Sequence, residues 1–113
     1  MSEKKLQLAK LLAVPEFNCV QKWTEERTVT SVYCCDLLSI VMGKAPANCA
    51  WITVMGNVNA IAVALLADIS CIVLAEGASL QEDAQIKAQE HNIAVLKTTL
   101  PVFEAATKIG NLL

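Results

Sequence analysis

The run "AWITVMGNVNAIAVALLADISCIVLA", residues 50–75, leaves a chain few ways to fold. Ala50–Met55 is apolar nearly throughout, as a strand covered on both faces must be. Gly56, Asn57 and Val58 interrupt it, and a helix follows from Asn59 to Asp68. Ala60, Ala62, Ala64 and Ala67 keep that helix thin enough to lie close against a sheet or another subunit. Cys71–Ala75 is a second wholly apolar strand, and Glu76-Gly77 turns away from it. Val58–Ala75 is long enough to span a membrane. Asn59, Asp68 and the change of rhythm divide it instead into a buried helix and a buried strand.

The alternation continues downstream. Ser79-Leu80-Gln81-Glu82 has capping-box spacing and predicts a helix to Glu90 or His91. Leu80, Ala84, the Lys87 stem, Ala88 and His91 fall on one stripe of it. Asn92 suits the turn that ends it. Ile93–Lys97 is a third strand, and Thr98-Thr99-Leu100-Pro101 opens a last helix through Phe103, Ala106, Thr107 and Gly110, with Pro101 in its first turn. Strands alternating with helices imply a parallel sheet with right-handed crossovers.

The first half is less regular. Ser2 caps an expected helix from Glu3 to Ala13, which Pro15 stops. Phe17–Val20 reads as a short strand, Trp23–Glu26 as a charged loop and Thr28–Tyr33 as a strand. Asp36 is placed as the cap of a short helix, Leu37–Met42, that Gly43 ends. The expected fold is α/β: one three-layer domain over residues 1–113, its mainly parallel sheet built from β-α-β-α-β-α. An N-terminal helix and short strands are added to that frame.

Composition narrows the function. The chain is 55% hydrophobic and 18% charged, so it fills a core and has apolar surface left for a partner. Nine scattered basic residues and a net charge of -2 argue against phosphate-driven nucleic-acid binding. No signal-peptide stretch follows Met1-Ser2-Glu3-Lys4-Lys5, so a cytoplasmic protein is expected, with no membrane span. The five cysteines, Cys19, Cys34, Cys35, Cys49 and Cys71, are odd in number and contain no C-x-x-C. They read as free thiols. Cys34-Cys35 precedes an expected helix start, where a thiol can have a lowered pKa and react, but an ordinary apolar filler is the favoured reading. His91 is the one histidine and lacks cysteines at zinc-ligand spacing. Neither a metal nor a cofactor is expected.

In open α/β sheets ligands bind beyond the strand carboxyl ends. Here that selects Thr53, Gly56, Asn57, Asn59, Glu76, Gly77, Thr98 and Thr99. The Gly56–Asn59 loop precedes a helix N-terminus, where free N–H groups suit a phosphate or carboxylate. It contains neither G-x-G-x-x-G nor a P-loop, so a plain structural corner is the favoured reading of the glycine and a ligand loop the alternative. Glu76 either binds a ligand hydroxyl or ends its strand in water. No G-x-S-x-G elbow is present, and no catalytic residue is assigned.

Three stretches, "DLLSIVMGKAP", "WITVMGNVNAIAVALLADISCIVLAEG" and "IAVLKTTLPVFEAATKIGNLL", together resemble the DRTGG domain family. Related domains are regulatory segments of bacterial phosphotransacetylases and of CBS-containing pyrophosphatases, and the N-terminal domain of HPr kinase/phosphorylase is similar. Arg27-Thr28-Val29-Thr30 is the nearest stretch to the signature that names the family, and its paired glycines are absent. The resemblance implies a compact α/β domain that self-associates, in a regulatory or scaffolding role without chemistry of its own. Two expectations follow: a homodimeric sensor of a small anionic ligand, nucleotide- or phosphate-like, or a subunit that docks on a partner enzyme and takes no small ligand. Cysteine chemistry at Cys34 or Cys35 is the third.

Overall fold

A computed structural model describes residues 5–113. The expected cap at Ser2 and the helix start at Glu3 lie outside them. The elements are β1 (Leu6–Gln7), a 3₁₀ helix (Leu8–Ala13), β2 (Asn18–Gln21), β3 (Thr28–Val29), β4 (Ser31–Cys34), α1 (Leu38–Lys44) and β5 (Cys49–Thr53). They continue with α2 (Val58–Leu66), β6 (Cys71–Leu74), α3 (Glu82–Glu90), β7 (Ala94–Lys97) and α4 (Val102–Gly110).

The main sheet has the order β2-β7-β6-β5-β4. Strands β4 to β7 are parallel, and β2 closes the far edge antiparallel to β7. A separate antiparallel ribbon joins β1 to β3. Side chains alternate across the central strands. Trp51, Ile72, Leu74 and Val95 pack with Val41, Ala60, Ile61, Ala64, Ala84 and Ala88 of the first three helices. Ala50, Ile52, Cys71, Val73, Ala94 and Leu96 pack on the other face with Leu8, Leu11, Val29, Ala105 and Ile109. The expected three layers are therefore present, with α4, the 3₁₀ turn and the ribbon forming the third.

Helices α2 and α3 end identically. Asp68 and Asn92 take left-handed backbone, φ 57° and 56°. The N–H groups of Ile69 and Ile93 then reach back to the carbonyls of Ala64 and Ala88 at 3.0 and 2.8 Å. This is the Schellman ending, with a buried isoleucine just past each turn.

Five local expectations give way, most of them to longer-range contacts. The N-terminal segment is a two-residue strand and a 3₁₀ turn, not an α-helix. Leu8 N–H is taken by the Arg27 carbonyl at 2.8 Å, and Leu8 and Leu11 are both buried at the spacing that eclipses in a 3₁₀ helix. Asp36 does not cap α1. Its Oδ1 accepts from Thr53 Oγ1 at 2.6 Å and Val54 N–H at 2.9 Å, tying the end of β4 to the end of β5. Gly43 lies inside α1, which ends at Lys44 ahead of Pro46. The Ser79–Glu82 capping box also does not form, and α3 begins only at Glu82 without a side-chain cap. The preceding segment instead crosses the β5–α2 corner, where Gln81 N–H donates to the Gly56 carbonyl at 2.8 Å. The expected single strand Thr28–Tyr33 splits at Thr30, whose N–H bonds to the Asn48 carbonyl at 3.0 Å.

That crossing fixes one glycine. A Cβ on Gly56 would stand 2.0 Å from the Ser79 carbonyl oxygen, whereas one on Gly43 meets nothing within 4 Å. Gly56→Ala is expected to destabilise by at least about 2 kcal/mol through a backbone clash. Gly43→Ala should stabilise by about 0.5–1 kcal/mol. Urea unfolding of the two variants checks both signs.

Candidate functional site at the strand carboxyl ends

Parallel register places the selected loops side by side. Thr53 lies opposite Leu74, and Leu74 opposite Lys97. Ala75 N–H then bonds to the Thr53 carbonyl at 3.0 Å and Thr98 N–H to the Leu74 carbonyl at 2.9 Å. Thr53, Glu76 and Thr98 thus stand at one end of three adjacent strands.

Most of their polar groups have internal partners. Thr53 and Thr98 are buried. Each turns its hydroxyl to the N–H two residues on, Met55 at 3.2 Å and Leu100 at 3.1 Å, which shapes the following loop. Asn57 caps α2, its Oδ1 accepting from Ala60 N–H at 3.0 Å. Glu76 and Gly77 are left-handed, φ 59° and 71°. Their N–H groups donate to the carbonyls of Leu100 and Thr98 at 2.9 and 3.0 Å. Asn59 and Thr99 are exposed.

Glu76 has a role that sequence reading missed. Its Oε2 accepts from Val102 N–H, the first residue of α4, at 3.1 Å. Pro101 occupies the N-cap position and supplies no side-chain bond. A helix that opens without Ser, Thr, Asp or Asn at its cap needs a remote acceptor, and that deficit was the available signal. The carboxylate also sets negative charge at this helix end, so an anion finds no place on α4.

The loop Gly56–Asn59 differs. The N–H groups of Gly56, Asn57, Val58 and Asn59 have no acceptor among the described residues. They are successive donors at the start of α2, held by the Asn57 cap and by the Gln81–Gly56 bond.

An apolar groove of about 300 Å³ between α2 and α3 begins at Val58 of this loop and is bordered by Ala62, Leu65, Leu66 and Lys87. A polar cavity of about 410 Å³ opens at the opposite, amino end of the sheet.

The thiols do not show the lowered pKa that the reactive alternative for Cys34-Cys35 requires. Cys34 is exposed, yet partial desolvation raises its thiol above the usual range and the Asp36 carboxylate raises it further. Burial pushes Cys49 up to about 11 and Cys71 higher still. A raised pKa leaves little thiolate at neutral pH. Iodoacetamide is therefore expected to modify Cys34 more slowly than free cysteine at neutral pH, with the rate climbing as pH rises past the ordinary thiol range. Cys49 and Cys71 should be labelled only after denaturation. Mass mapping reads all three, and rapid labelling of Cys34 at neutral pH would restore thiol chemistry to consideration.

No protein-family model and no curated protein matches the chain. Among solved structures it is similar to the CBS and DRTGG domains of the regulatory region of Clostridium perfringens pyrophosphatase, a structure complexed with the activator diadenosine tetraphosphate. The TM-score is 0.76 at 15% sequence identity, over 94% of this chain and 46% of that one. The chain thus spans about half the length of that regulatory structure, and what the two share is the fold.

Proposed function

We propose that the chain is a non-catalytic regulatory domain that senses a small anionic, nucleotide- or phosphate-like ligand at the strand carboxyl ends. The observation that carries this reading is the run of N–H groups from Gly56 to Asn59 without acceptors among the described residues. Successive backbone donors at a helix start form a ready anion cradle. In this reading Thr53, Gly77 and Thr98 shape the floor, and Gly56, Asn57, Asn59 and Thr99 meet the ligand. Glu76 accepts a ligand hydroxyl through its second oxygen. The likeness to a regulatory region that binds a dinucleoside polyphosphate supports the ligand class, and a homodimer is the proposed working form.

A thermal-melt screen against adenine nucleotides, dinucleoside polyphosphates, acyl phosphates and inorganic phosphate tests it. A ligand selective for the native state stabilises by about 2.7 kcal/mol at a hundred times its Kd, so the melting temperature should climb with ligand concentration. Asn59→Asp should suppress that shift and leave the unliganded melting temperature intact, because a carboxylate repels the anion yet suits a helix start. Asn57→Ala is a poorer probe, since losing the cap costs about 1 kcal/mol by itself. A flat panel would remove the ligand from the proposal.

One observation favours a docking or assembly subunit as the second reading. Helix α2 is apolar on its outer side as well, with Leu65 at 44% and Leu66 at 71% exposure, whereas a helix hydrophobic all round is normally covered. Ala64 is buried against the sheet side, so a charge there would break the fold and report nothing about assembly. Leu66→Glu is the informative change. It should lower the particle mass in light scattering while leaving circular dichroism unchanged, and an unaltered mass would clear α2 as the interface.

A further inference from the structure

We propose that the polar cavity at the amino end of the sheet binds a free α-amino acid with an apolar side chain. This site is separate from the Gly56 loop and stands or falls independently of it.

The cavity, about 410 Å³, is of the size that holds a small ligand. Its walls carry both signs of charge. Arg27 and Asp68 largely neutralise each other across 2.9 Å. Glu25 also lines the cavity, and its exposed carboxylate makes no hydrogen bond or ion pair with the described residues. It is open to a ligand's cation.

Two further polar groups line the same cavity, His91 and Asn92. The Asn92 Oδ1 is already taken by Thr24 N–H at 2.8 Å, which fixes the amide orientation and leaves its NH₂ to donate. The His91 ring has no side-chain partner among the described residues and offers a second N–H. A carboxylate satisfies both. An ammonium at Glu25 beside a carboxylate at His91 and Asn92 is the charge pattern of an amino acid. A polyphosphate is disfavoured, because Glu25 and Asp68 would repel it.

The side chain also has a place to go. Leu65 and His91 belong both to this cavity and to the apolar groove between α2 and α3. A group leaving the polar end therefore passes over Leu65 toward Ile61, Ala62 and Leu66. That continuity selects leucine, methionine or phenylalanine over a small or charged amino acid.

The test is a nuclear magnetic resonance titration of the whole chain, nitrogen-labelled, with leucine, methionine and phenylalanine. Saturable shifts are expected at the amides of Leu65, His91 and Asn92, with a dissociation constant in the millimolar range or tighter. Phenethylamine and hydrocinnamate each keep one of phenylalanine's charges, and each should bind at least about tenfold more weakly. Glu25→Gln should weaken phenylalanine by a similar factor at an unchanged melting temperature, since its side chain bonds to nothing in the fold. Leu65→Trp, which narrows the passage to the groove, should exclude phenylalanine. The proposal is overturned if no saturable shift appears, if phenethylamine binds as well as phenylalanine, or if Glu25→Gln changes nothing. Shifts confined to Gly56–Asn59 would also overturn it, and would bear only on the anion cradle.

Discussion

The guanidinium of Arg27 fastens the two halves of the chain together. It donates to the Ile69 carbonyl at 3.0 Å and Asn48 Oδ1 at 3.1 Å, and to the Asp68 carbonyl and Oδ1 at 3.2 and 2.9 Å. The acceptors sit in the turns that lead into β5 and β6. Three residues earlier, Thr24 N–H binds Asn92 in the turn before β7. The connector between β2 and β3 thus straps the amino ends of three successive strands. Asn48, Asp68 and Asn92 are all left-handed, a conformation that Asn and Asp tolerate best after glycine. The same side chains accept the strap. Glycine would suit the backbone and lose the bond. A planar fork of donors meets several acceptors at once, which a lysine ammonium cannot do in this geometry.

The carboxyl ends are joined by different means. Asp36 links the first loop to the second, the Gln81–Gly56 contact links the second to the chain entering α3, and Glu76 links the third to α4. The carboxyl-end loops are therefore coupled to one another through these contacts. Strap and coupled loops lie at opposite ends of one sheet.

The sequence exposes β5, β6 and β7 clearly because their burial is nearly complete, and α2 because it is apolar almost throughout. An apolar run that must be covered on both faces carries its own structure, whatever the rest of the chain does. The N-terminal segment and the caps were less legible for one physical reason. Asp36 and Ser79 are sound helix caps by local chemistry, but Asp36 found acceptor work on Thr53 and Val54, and Ser79 was drawn across Gly56. Such partners are distant in sequence, and local spacing does not encode them. The candidate site divides in the same way. Gly56 was visible as a corner, and the close approach that requires it was not. Asn57 was visible as polar at a helix start, and proves to be the cap. Glu76 was visible as a carboxylate at a strand end, while its partner Val102 lies 26 residues on.

The strand order has a consequence for how the chain assembles. From β4 to β7 each strand pairs with the next in sequence, so those pairings close short loops. Strand β2 instead pairs with β7, and the strap contact from Thr24 to Asn92 spans 68 residues. Loop-closure entropy grows with that separation, and local pairings form faster than distant ones. The outer edge of β7 is therefore the last to be covered, and until β2 arrives it is an open template for another chain. Synthesis from the N-terminus leaves β2 itself unpaired for longer, because it emerges early and waits for almost the entire sheet before it has β7 to pair with.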